Sequence, residues 1–101
     1  MEYTKLDVWV EAGKLANEIY GLTSQIRRCA VSVPSNIAEG CGRQTAKDTI
    51  QFLHISRGSL YELETQCFMA LDQKYIEEEK FNRLFDLIQS LKRIERIHQL
   101  L

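Results

Sequence analysis

The residues able to do chemistry in this chain are few and badly spaced for it. A carboxylate-bridged pair of metals inside a helical bundle needs two Glu-x-x-His pairs and two more glutamates, all turned inward. Glu95 and His98 supply one such pair, but the corresponding positions on the third helix are Gln51 and His54, where the carboxylate is lost. His98 falls on an apolar seam, which suits a hydrogen-bonded core histidine better than a ligand. Cys29, Cys41 and Cys67 are odd in number and have no CxxC spacing, so neither a zinc site nor a disulfide framework is expected. Gly40-Cys41-Gly42 lacks the third glycine and the preceding strand of a phosphate cradle. The expectation is a protein with no catalytic residue, no metal and no cofactor. The remaining candidates are cations: Arg43, Lys47, Arg57, Lys92, Arg93 and Arg96.

Those cations must be placed by helices. The chain has 101 residues, enough for one domain spanning 1–101; 45% are hydrophobic and 27% charged, which favours a folded core over disorder. With five glycines and one proline, turn formers are too scarce for a sandwich or barrel. Val8, Ala12, Leu15 and Ile19 share one face of a first helix over about 6–20, with Asp7 as its N-cap. Leu22, Ile26, Cys29, Val33 and Ile37 stripe a second over 23–41, with a kink expected at Pro34. Leu53, Ser56, Leu60, Leu63, Cys67 and Ala70 form a heptad seam on a third over 45–73, opened by Thr45 with Asp48 three residues on. Leu84, Leu87, Leu91, Ile94, His98 and Leu101 repeat the seam on a fourth over 77–101. Short loops between such helices predict an all-α, antiparallel up-down four-helix bundle. Pro34, Asn36, Gly40 and Gly42 read as structural: Asn36 as a hydrogen-bonding group beside the kink, the glycines as relief for a tight turn. Ser56, Gly58 and Ser59 together are expected to let a neighbouring helix approach closely.

The net charge of −1 exerts no global pull on nucleic acid or membrane. Its distribution is uneven: stretches 22–59 and 89–101 carry +3 and +2, while 1–21 and 60–88 carry −2 and −4. An up-down bundle would gather Lys5, Arg43, Lys47, Lys92, Arg93 and Arg96 at one end, with Arg57 higher up the third helix. The competing reading is that acidic helix starts and basic helix ends merely complement the helix dipoles. Ile50, Tyr61 and Phe68 lie off the third helix's seam on one flank, with Ile55 and Met69 on the other. That apolar width predicts that another subunit covers the helix. The first residues lack a basic start followed by an apolar run, and no stretch is long enough to span a membrane, so a cytoplasmic location is expected.

Two runs carry a more specific signal. Gly21-Leu22-Thr23-Ser24-Gln25-Ile26-Arg27-Arg28 is followed by Ser32-Val33-Pro34-Ser35-Asn36-Ile37-Ala38-Glu39-Gly40. With Val8-Trp9 and Gly58-Ser59-Leu60-Tyr61-Glu62-Leu63-Glu64-Thr65-Gln66, they span nearly the whole chain. The sequence resembles the four-helix bundle proteins encoded in intervening sequences of bacterial 23S ribosomal RNA genes. That resemblance implies an up-down bundle assembled as a homopentameric, barrel-like ring. It also implies kinship with the accessory variability determinant of diversity-generating retroelements, which binds nucleic acid and a reverse transcriptase through a basic surface. It carries over no catalytic residue. The chain departs from the family pattern in one place: Ile19-Tyr20 meets Gly21 directly, where members usually have a longer stretch. Either the first hairpin is stunted, so that a first helix of ~22 Å faces a third of ~42 Å and leaves part of the third and fourth helices uncovered, or a flexible segment between the first two helices is absent from the sequence.

The expected function is therefore a non-catalytic oligomeric module binding structured RNA or another nucleic acid through Arg43, Lys47, Arg57, Lys92, Arg93 and Arg96. The alternative is a scaffold that docks a partner protein without nucleic acid.

Overall fold

The computed structural model describes residues 2–19, 24–94 and 96. These hold four α-helices and no strand: α1 (Asp7–Ile19), α2 (Ser24–Cys41), α3 (Ala46–Asp72) and α4 (Glu78–Leu91). Short 3-10 turns, Tyr3–Lys5 and Lys92–Ile94, precede α1 and follow α4. The first three helices lie within a residue of the spans expected from periodicity. The fourth was expected to reach residue 101, and its α-helix gives way to the 3-10 turn after Leu91. Residues 20–23, Glu95, His98 and Leu101 lie outside the described residues.

Heptad spacing translated directly into burial. On α3, Leu53, Ser56, Leu60, Leu63, Cys67 and Ala70 are all buried, joined by Thr49. Facing them are Ile26, Cys29, Ala30, Val33 and Ile37 of α2, and Phe81, Leu84, Ile88 and Leu91 of α4. Val8, Ala12 and Leu15 complete this core from α1, which packs on α2 and α4.

A ladder of polar contacts joins α2 to α3. Thr49 Oγ1 donates to the Gly40 carbonyl at 2.8 Å, and Ser56 Oγ to the Val33 carbonyl at 2.9 Å. Ser32 and Ser59 share a hydroxyl bond of 2.8 Å, and Cys29 Sγ donates to the Ser59 carbonyl at 3.2 Å. Asn36 Nδ2 donates to the Ser32 carbonyl at 2.8 Å and to Ser32 Oγ at 3.0 Å. This side-chain bond laces the turn containing Pro34, where the ring removes one backbone donor, and α2 continues through it to Cys41.

The glycines divide by role. A Cβ on Gly40 would lie 3.0 Å from Phe52 Cβ and 3.1 Å from the Thr49 carbonyl oxygen, so the absent side chain lets α2 and α3 close. Gly42 differs from expectation: an added Cβ meets only ordinary contacts, so the turn does not demand glycine there. Gly58 differs too. It points away from α2, with nothing within 4 Å of an added Cβ, and the close approach is left to Ser56 and Ser59.

Helix ends follow local chemistry. Thr45 Oγ1 accepts the Asp48 N–H at 3.2 Å, the cap its spacing suggested. Asp7 is a first-turn residue and not the N-cap, because the chain enters α1 through the preceding 3-10 turn, where Glu2 accepts from Thr4. At the end of α3, Lys74 N–H reaches the Leu71 carbonyl at 3.0 Å and Tyr75 N–H the Ala70 carbonyl at 2.8 Å. This paired closure puts Lys74 in the left-handed region at φ 61°.

Candidate nucleic-acid interface

Five of the six cations fall in two places rather than at one end. Arg43 and Lys47 stand at the α2–α3 turn, and both are exposed. Arg43 pairs with Glu39 at 2.5 Å, one helical turn back, and its guanidinium lies 4.6 Å from the centre of the Phe52 ring. Tyr61 marks the second place. Lys92 Nζ lies 4.4 Å and the Arg57 guanidinium 5.7 Å from its ring centre. Lys47 precedes Tyr61 by fourteen residues on the same helix, roughly 21 Å at 1.5 Å per residue. The expected gathering at one bundle end does not hold for Lys92 and Arg93, because the described part of α4 ends beside the middle of α3.

Lys92 and Arg93 are also less available than charge counting implied. Lys92 Nζ pairs with Glu64 at 2.6 Å, with side chains 24% and 21% exposed. Arg93 pairs with Glu11 of α1 at 2.6 Å, both side chains 22% exposed, and reaches Asp7 at 3.6 Å. It also donates to Ser90 Oγ at 2.6 Å and to the Ser90 carbonyl at 2.8 Å. The hydrogen bond from Arg93 holds the Glu11 carboxyl below its usual range, and the same bond raises Arg93. Arg96 is exposed.

The proposed subunit-contact residues are partly used within the chain. Phe68 packs on Phe81 and Phe85 of α4 with ring centres 4.9 and 5.9 Å apart, yet stays 45% exposed. Tyr61 keeps 47% exposure beneath its two cations, and Ile50 is half-buried. Ile55 and Met69 are exposed. An apolar groove of about 470 Å³ opens between the start of α2 and the end of α3, with Ile26, Met69, Ala70 and Tyr75 among its lining.

Sequence spacing missed the carboxylates Glu11 and Glu64, which answer Arg93 and Lys92 from other helices. No period within one helix encodes such a pairing. Phe52 under Arg43 was missed for the same reason, since Arg43 lies in the α2–α3 turn and Phe52 on α3.

Burial pushes the thiols of Cys29 and Cys67 up to about 11, and raises Cys41 as well. A thiol so raised is protonated at neutral pH and a poor nucleophile. Among the described residues, no group of three or more His, Cys, Asp or Glu is placed to hold a metal ion. Gln51 and His54 are exposed on α3, while the Glu95/His98 pair lies outside the described residues. Among the described residues, no helix is long and apolar enough to cross a membrane.

No curated protein matches the chain. The model of one family, the 23S rRNA-intervening sequence proteins, matches residues 4–96. That match takes in all four helices, the Pro34 turn and both groups of cations, and the chain belongs to this family.

Proposed function

We propose that this protein is a non-catalytic, oligomeric RNA-binding module of the cytoplasm, built as an antiparallel up-down bundle. The observation that carries the reading is the line of cations along α3. Lys47 and Arg57 are exposed on that helix, Arg43 sits just before it, and Tyr61 is ringed by Arg57 and Lys92. Such a line suits a phosphate backbone, giving affinity without base specificity. Cations beside half-exposed aromatic rings also suit stacked bases.

The bundle direction is supported by the pairings: as α2 runs back from Gly40 to Cys29, its partners advance from Thr49 to Ser59. Assembly, with a pentamer as the favoured state, is supported by what the family resemblance implies and by the exposed Ile55 and Phe68 on α3.

The test is light scattering of the native protein with and without a short structured RNA at two salt concentrations. A pentamer that gains RNA mass at low salt and sheds it at high salt supports the reading, since counterion release makes phosphate binding salt-dependent. A monomer would remove the ring. Indifference to RNA at both salts would remove the nucleic-acid role and favour a protein-docking scaffold, for which the Met69/Tyr75 groove is the natural surface.

A further inference from the structure

We propose that Lys92 and Arg93 are held in reserve by an internal carboxylate latch, and that a bound phosphate chain opens it. The inference rests on the RNA-binding reading above and specifies how that surface is regulated. Its components are the pairs Lys92–Glu64 and Arg93–Glu11, both at 2.6 Å.

Three observations set these pairs apart from ordinary surface ion pairs. Each partner is only about a fifth exposed, between 21% and 24%, whereas Arg43 and Glu39 are 42% and 55% exposed. The latch pairs are therefore screened less by water and salt. Each also joins different helices, so together they tie the end of α4 to α1 and α3. Finally, both cations sit on the 3-10 turn Lys92–Ile94, whose hydrogen-bond geometry is weaker than that of the α-helix before it.

The latch is also accessible. An open cleft of about 510 Å³ between α1 and α4 brings Lys5, Lys14 and Arg93 together with Asp7 and Glu11. A phosphate there meets three cations and competes with two carboxylates. Its oxygens fit the guanidinium fork as a carboxylate does, so Arg93 can exchange one partner for the other. Lys92 has the equivalent choice beside Tyr61. Binding then proceeds in two stages: Arg43, Lys47 and Arg57 engage first, and the latched cations follow as their carboxylates turn to water.

The test uses the full chain and a labelled RNA hairpin, followed by fluorescence anisotropy across a salt series. Glu11→Gln and Glu64→Gln keep side-chain shape while removing the competing charge. Each is expected to tighten binding about five- to tenfold, the ratio for one ordinary net hydrogen bond. The slope of log K against log salt should stay as in wild type, because the latched cation is engaged in the final complex of both. Glu39→Gln makes the same charge change in an exposed pair and should shift affinity less than about threefold. Equal shifts in all three variants would mean general electrostatics and overturn the latch. Weaker binding by Glu11→Gln and Glu64→Gln would overturn it too, showing that these carboxylates support the surface. Failure of wild type and variants alike to bind at any salt would overturn the RNA reading and the latch with it.

A second measurement uses the unmodified protein. Amide exchange at Lys92–Ile94 should quicken when RNA is bound. Unchanged or slower exchange there, with RNA demonstrably bound, would refute the opening step.

Discussion

Alanine at two glycines of adjoining helices should move stability in opposite directions. Gly58 lies mid-helix on α3 with nothing within 4 Å of an added Cβ, so alanine there gains helix propensity without a clash. The expected gain is about 0.8–1 kcal/mol. Gly40 collects a similar or smaller propensity gain, but its Cβ would lie 3.0 Å from Phe52 Cβ and 3.1 Å from the Thr49 carbonyl oxygen. The second contact is with backbone and cannot rotate away. Relieving it would part the helices where Thr49 donates to Gly40 at 2.8 Å. Overpacking of this kind costs about 1–3 kcal/mol, leaving a net loss of about 1–2 kcal/mol. Urea unfolding at one fixed protein concentration should show the midpoint rising for Gly58→Ala and falling for Gly40→Ala, with slopes unchanged. In thermal melts the two should separate by roughly 10 °C for a chain of this size. Stabilisation by Gly40→Ala would refute the close-approach argument. Destabilisation by Gly58→Ala would mean that its open side is covered in the assembled protein.

Three further outcomes follow from the same structure. Lys74→Gly should stabilise by about 0.5–1 kcal/mol, read as a higher urea midpoint, because φ 61° strains a residue with a side chain. Ser56→Ala should lose about 1 kcal/mol by removing a fully buried hydroxyl's bond to the Val33 carbonyl, measured in the same assay. The Arg93–Glu11 pair should also leave a mark in the pH dependence. Arg93 lowers Glu11 from 4.5, so the stability it contributes is complete above that pH and fades as acid protonates the folded carboxylate. Chemical denaturation from pH 6 downward should therefore show the gap between wild type and Glu11→Gln closing below about 4.5.

Much of this architecture was legible as spacing. The seam Leu53–Ser56–Leu60–Leu63–Cys67–Ala70 is the buried face of α3 because a heptad repeat keeps one stripe against its neighbours. Thr45 was legible because capping is local. What spacing did not reveal depends on relations between helices. Gly58 sits beside Ser59 in sequence, but one residue is about 100° around a helix, enough to turn it from the α2 contact to open space. Lys92 and Arg93 counted as surface charge until Glu64 and Glu11 met them across helix boundaries. The packing of Phe68 on Phe81 and Phe85 joins two helices, in a register that the period of neither can specify.

The hydroxyl ladder between α2 and α3 has a consequence for sliding. Aliphatic seams repeat every seven residues and tolerate axial slippage, because one leucine fits where another did. Hydroxyls aimed at particular carbonyls do not. Gly40 and Cys29, at the two extremes of the ladder, stand about 16 Å apart along α2, and their contacts must engage together. Slipping one helix by a turn, about 5.4 Å, would strand the buried Ser56 hydroxyl against apolar neighbours, at about 1–3 kcal/mol, and leave Thr49 only its bond to the Thr45 carbonyl. The ladder thus works as a detent, admitting one axial position from the several that the hydrophobic repeat would accept.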